Sequence, residues 1–138
     1  MEEDRIKLDR RFDWVGPSDR ISKIRPIKLR RVDNETKLET EYREEREKLN
    51  RWCSAFWAQQ NTIFDREKAK FVEKKKAEIG RIEQISASDL SAFYKTFLDT
   101  RHNALMDFNR EWYKRNLGLI WPALRVNLIR LTRVLRRR

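Results

Sequence analysis

The chain is poor in the residues that do chemistry. Its 138 residues include one cysteine, Cys53, and one histidine, His102. A lone cysteine cannot close an intramolecular disulfide, which excludes a disulfide scaffold. Three glycines and three prolines are too few for a loop-rich or all-β chain, whose turns consume both. No apolar run approaches the roughly 18 residues that a transmembrane helix needs. H-E-x-x-H, H-x-x-E-H, G-x-S-x-G and a phosphate-cradling glycine loop are all missing. The carboxylates are numerous but interleaved with Lys and Arg, as on a solvated helix face. These absences predict a non-enzymatic protein, of a length that suits one domain with a modest core.

Charge and aromatic side chains are abundant instead. Lys and Arg total 33 against 22 Asp and Glu, a net charge of +11. The excess is uneven: residues 34–80 hold 11 bases and 10 acids, whereas Arg20–Val32 holds six bases and no acid. Leu117–Arg138 holds six arginines and no acid. Such surfaces suit an anionic partner, whether lipid headgroups, nucleic acid or an acidic protein face. Five tryptophans accompany the charge: Trp52 and Trp57 in RWCSAFWAQQN, Trp112 in DFNREWYKRN, Trp121 shortly after, and Trp14 in DWVGPSD. Large aromatics dominate core and interface energetics, so these blocks mark contact surface.

Residues 1–33 read as an extended, irregular basic arm punctuated by Gly16-Pro17 and Arg25-Pro26, with alternation around Ile24–Arg31 too weak to imply a sheet. Residues 34–138 read as the helical domain. A long helical pattern starts near Asn34–Thr36, where short polar side chains can cap. Leu38, Tyr42, Leu49, Trp52, Cys53, Phe56 and Trp57 recur at helical spacing, and Glu41, Glu44, Glu45, Glu47, Lys48 and Arg51 mark the exposed face. The pattern weakens at Asn61-Thr62, predicting a break and a second segment ending at Gly80. Ser86 with Asp89 has capping-box spacing and opens a helix through Phe93, Phe97, Phe108 and Trp112. Gly118 and Pro122 interrupt its continuation, and Pro122 either opens a new helix or kinks the old one. The expected fold is all-α: a small bundle of three to five helices behind the arm.

Cys53 and His102 could form a dyad or a partial metal site for redox or metal handling. Structural zinc takes four such ligands and catalytic zinc three, so the ordinary expectation is a small buried thiol and an unremarked helical histidine. The C-terminal stretch from about residue 117 to 138 predicts a basic amphipathic helix. Leu117, Ile120, Trp121, Leu124, Leu128, Leu131 and Leu135 share one stripe, with Arg125, Arg133 and Arg136 off it. Either the arginine-flanked helix meets an anionic membrane, or its stripe packs on the other helices and the arginines are solvated. Nucleic-acid binding is a weaker rival, because the aromatics sit at core-like spacing and form no single-strand platform.

Three stretches carry a resemblance. DWVGPSDRISKIRPI (Asp13–Ile27), RWCSAFWAQQNTIFDREKAKFV (Arg51–Val72), and FYKTFL with FNREWYKRN (Phe93–Leu98, Phe108–Asn116) together resemble the family of cytochrome c oxidase assembly factor 8, first named as an apoptogenic mitochondrial protein. The match is colinear over roughly residues 12 to 135. It implies a small mitochondrial protein, matrix-side and soluble or peripheral at the inner membrane, that supports biogenesis or oxidative protection of the terminal oxidase. A cleaved presequence is also implied, and the acidic start MEEDR does not resemble one. The family brings no catalytic residues and no cofactor.

The expected mode of action is therefore binding to oxidase subunits or assembly intermediates, with peripheral contact to anionic lipid. Trp52, Phe56, Trp57, Phe93, Phe97, Phe108 and Trp112 are expected to build the helical core, with Trp14 and Gly16-Pro17 anchoring the arm across it; Gln60, Asn61, Tyr94, Asn109, Arg110 and Tyr113 complete the core of the family motifs. The expected contact surface is Trp14, Arg20, Lys23, Arg25, Lys28, Arg30 and Arg31 on the arm. On the last helix it is Trp121, Arg125, Arg130, Arg133, Arg136, Arg137 and Arg138.

Overall fold

The computed structural model describes Asp9, residues 11–80 and residues 84–137. Helix α1 spans Lys37–Ile79. Its first turn is closed by a capping box: the Thr36 hydroxyl accepts from the Glu39 backbone N–H at 3.2 Å, and the Glu39 carboxylate accepts from the Thr36 N–H at 3.4 Å. Gly80, at φ 82°, ends it in the left-handed region that glycine enters without steric cost. The break expected at Asn61-Thr62 does not occur. Neither residue is a breaker, and Asn61 spends its side chain on the arm, leaving the helix ladder undisturbed.

Helix α2, Ala87–Gly118, starts on Ser86, whose hydroxyl accepts from the Asp89 N–H. It runs back antiparallel to α1, as the aromatic register shows. Phe108 lies 3.9 Å from Phe56 and 4.8 Å from Trp52 between ring centroids, both stacked. Further along, Phe97 meets Phe64 and Phe93 meets Phe71. Helix α3, Ile120–Arg136, follows after Leu119 alone, with Pro122 inside its first turn, where a missing N–H costs nothing. The mostly α expectation holds. Counted as rods there are two helices, one of them bent at Leu119, which is fewer than the three to five expected.

The arm is more ordered than its sequence suggests. Strands β1 (Trp14–Val15) and β2 (Ile27–Lys28) pair antiparallel, Trp14 opposite Lys28 and Val15 opposite Ile27. Polar side chains on one stripe of α1 hold this hairpin by its backbone. Glu47 accepts from the Leu29 N–H at 3.0 Å, Asn50 donates to the Arg25 carbonyl at 2.9 Å, and Asn61 donates to the Ile21 carbonyl at 2.8 Å. The Ser54 and Ser22 hydroxyls share a hydrogen bond of 2.8 Å. Glu47 is therefore buried, against its expected place on the exposed face.

The apolar core is thin. Among the described residues only Phe97, Phe108 and Val126 are buried hydrophobics. Trp52, Phe56, Trp57 and Phe93 are half-buried. Tyr94, Asn109, Arg110, Trp112 and Tyr113 are exposed, which corrects their assignment to the core. Two antiparallel helices bury one seam between them, and among the described residues nothing covers the far side of α2.

Candidate functional site: the basic end and its apolar stripe

A charged cluster joins the arm, α1 and α3. Glu35, Arg43 and Glu47 fall four residues apart around Glu39, and Glu39, only 2% exposed, sits at their centre. Arg133 of α3 grips Glu39 with both nitrogens, Nη2 to Oε1 at 2.6 Å and Nη1 to Oε2 at 3.2 Å. It also donates to the Asn34 carbonyl. Those charge-assisted bonds hold the Glu39 carboxyl below the ordinary carboxylate range against the opposing effect of burial, and hold the Arg133 guanidinium above its usual value. Burial raises Glu35, but bonds from Arg43 and Thr40 outweigh it and leave it lowered. Arg43 reaches Glu35 at 3.0 Å and Glu47 at 4.0 Å. Of this cluster only Glu47 stands out in the sequence, and there it is expected on the exposed face. The four-residue spacing 35-39-43-47 and the T-x-x-E start were its visible signals.

The clasp decides which side of α3 faces inward. Pro122, Val126, Ile129 and Arg133 lie on the packed side, and Val126 is 1% exposed. Directly opposite, 3.6-residue periodicity places Ile120, Trp121, Leu124, Leu128, Leu131 and Leu135 outward. All are exposed, Trp121 at 65% and Leu128 at 54%. Tyr113 and Leu117 extend the stripe onto the last turn of α2, and both are exposed. The predicted stripe is real, and it does not pack on the other helices. Arg133, expected to be free for a partner, is tied to Glu39. Arg125 and Arg136 flank the stripe on one side, whereas Arg130 and Arg137 fall nearer Val126 on the side turned toward the arm; all four are exposed.

Inside this basic end lies a cleft of about 840 Å³. The arm contributes Arg11 and Arg30–Asn34, with Thr36 at the floor, and α3 contributes Ile129, Arg130 and Thr132–Val134 with Arg136 and Arg137. Seven arginines and one acid, Asp33, line it. Arg138 lies outside the described residues.

The other expected contacts scatter. Arg20, Lys23 and Arg25 are exposed, Lys28 is half-buried, and Arg25 donates to the Gly16 carbonyl at 3.3 Å. Trp14 does not present its ring outward: it folds over Gly16 and is half-buried. A Cβ at Gly16 would overlap the Trp14 Cη2 and lie 2.9 Å from Pro26 Cγ, so D-W-x-G-P is a packing motif. Asp13 completes it by accepting from the Arg30 N–H at 2.7 Å.

F-W-x-x-Q-N has the same character. Phe56 stacks on Phe108, Gln60 accepts from Arg101 at 2.7 Å, and Asn61 anchors the arm. From the third motif, Arg115 lies 4.3 Å over the Trp52 ring.

Cys53 and His102 are not brought together. Cys53 packs by Trp112 and Arg115, and burial pushes its thiol up, away from a reactive thiolate. His102 is exposed and sits ten residues before Trp112, about 15 Å of helix rise away. No cluster of three or more His, Cys, Asp or Glu side chains suited to a metal occurs among the described residues.

The geometry defines a class: a mostly helical protein with two distinctive exposed surfaces, one basic and one apolar. Residues 12–132 match the family model of cytochrome c oxidase assembly factor 8, and the chain belongs to that family. It is 61% identical to a COA8 family protein of Caenorhabditis briggsae, named mitochondrial, over 96% of this chain and 93% of that one. It is 36% identical to cytochrome c oxidase assembly factor 8 of Bos taurus, over 91% and 70%. To the Homo sapiens protein of the same name it is 34% identical, over 86% and 62%. No solved structure matches the chain.

Proposed function

We propose that this chain is a mitochondrial, non-enzymatic assembly factor for cytochrome c oxidase. It acts by binding oxidase subunits or assembly intermediates while resting peripherally on the matrix face of the inner membrane. Family membership supports the oxidase role, and the names of its relatives support the mitochondrial address. The observation that carries the membrane contact is the outward apolar stripe of α3, with Arg125 and Arg136 along one edge and no acid in the helix. Large apolar patches left bare mark an interaction site, and no helix among the described residues is long and apolar enough to cross a bilayer. Charge argues against self-association through this stripe. A second copy would bring one basic, acid-free helix against another, whereas anionic headgroups neutralise its arginines while the leucines enter the interface.

Affinity capture from intact mitochondria tests the oxidase role: the chain recovers oxidase subunits or intermediates, and recovery of ribosomes alone refutes it. Flotation with anionic vesicles tests the membrane contact. The wild type binds, and Leu124→Ser/Leu128→Ser/Leu131→Ser does not. Equal, salt-insensitive binding by both sinks the lipid part and leaves the oxidase role standing.

A further inference from the structure

The cleft between the arm and α3 has chemistry of its own, separate from the stripe. Ion pairs among the described residues engage Arg11 with Asp9 at 2.9 Å, and Arg133 and Arg130 with Glu39 at 2.6 and 4.0 Å. None engages Arg30, Arg31, Arg136 or Arg137. Among the described residues, therefore, two arginines without an ion pair on each wall line one concavity, and Asp33 is the one acid lining it. Concentrating like charge this way is unfavourable in the absence of an anion, so the cleft is suited to one.

Guanidinium forks match phosphate oxygens bidentately, and two pairs of forks match two phosphate groups. The volume lies within the range of small-ligand sites, roughly 300–1,000 Å³. Val134 lines the cleft and is also 53% exposed, so the phosphate-binding space opens directly beside apolar surface.

We infer that this cleft is a binding site for a ligand carrying two neighbouring phosphate groups, with Arg30 and Arg31 holding one side and Arg136 and Arg137 the other. A lipid headgroup with two phosphates and a free diphosphate share that chemistry. The lipid source deepens the membrane reading above and rests on it; the site itself does not.

Full-length protein separates the two sources. Inorganic pyrophosphate raises the unfolding midpoint of the wild type above that in chloride of matched ionic strength, and the gain is lost in Arg30→Gln/Arg31→Gln and in Arg136→Gln/Arg137→Gln. Phosphatidylcholine vesicles carry either cardiolipin, two phosphates per molecule, or twice the molar amount of phosphatidylglycerol, one each, so that surface charge is matched. A preference for cardiolipin of about ten-fold, reduced to about two-fold or less in both cleft variants, assigns the lipid source. Leu124→Ser/Leu128→Ser/Leu131→Ser lowers vesicle binding of both kinds and leaves the pyrophosphate shift intact, which keeps failure of the stripe distinct from failure of the cleft. A pyrophosphate shift without cardiolipin preference supports the site with a soluble ligand. No shift together with a preference absent or untouched by the variants overturns it. So does a short RNA that binds more tightly than pyrophosphate through the same arginines.

Discussion

Gly16 shows how a single residue can set local structure by what it leaves out. Its Cα lies under the Trp14 ring and beside Pro26, with no space for a methyl. Gly16→Ala must push the indole off, at about 1–3 kcal/mol by the usual cost of overpacking. Chemical denaturation measures the loss, and Trp14→Ala in the same chain recovers part of it. Glu39 is the second decisive residue. Arg133→Gln leaves its carboxylate buried with Arg130 at 4.0 Å as the nearest cation, for a loss of about 1.5–3 kcal/mol. The double change with Glu39→Gln costs less than Arg133→Gln alone, because no charge is stranded. Both Glu35 and Glu39 have folded-state carboxyls held below their ordinary 4.5, so the unfolded chain takes up protons first as pH falls. Their contribution is complete above about pH 4.5 and is lost as pH drops through the lowered folded values. An acid titration of thermal stability shows that loss, and Glu39→Gln flattens it.

At the scale of elements, α1 joins the other parts. Its aromatic seam meets α2, its Glu47-Asn50-Ser54-Asn61 stripe meets the arm, and its Glu39 meets α3. Asn61→Ala removes the bond to the Ile21 carbonyl, and that end of the hairpin opens. The expected result is faster proteolysis between β1 and β2 with little change in helix content by circular dichroism. The caps at Thr36 and Ser86 and the stop at Gly80 were legible, because capping chemistry is local. The uninterrupted helix through Asn61 was not, because an asparagine that spends its amide on the arm looks in sequence like one that ends a helix. Both apolar sides of α3 were present in the pattern, yet periodicity cannot say which side a helix turns inward when each carries aliphatic residues.

Across the whole molecule, a net charge of +11 is carried on a frame with three buried hydrophobics among the described residues. So thin a core leaves little stability in the isolated chain. Anything that binds only the folded state raises the midpoint by mass action. Anionic vesicles are expected to raise the thermal midpoint of the wild type, and added salt to erase the gain as the Debye length falls to about 3 Å near 1 M. Calorimetry with and without vesicles measures both effects.

What the sequence by itself determined is the material: helices with their caps, an aromatic seam, a basic arm, a basic last helix, and motifs distinctive enough to indicate the family. These rest on local periodicity and composition, which need no partner in space. The tertiary structure alone decided which motif residues pack and which stay exposed, that Trp14 covers a glycine, and that Cys53 and His102 stay apart. It also set the apolar stripe of α3 facing outward. That outcome depends on Arg133 meeting Glu39 across 94 residues, a pairing between distant positions that no local pattern encodes.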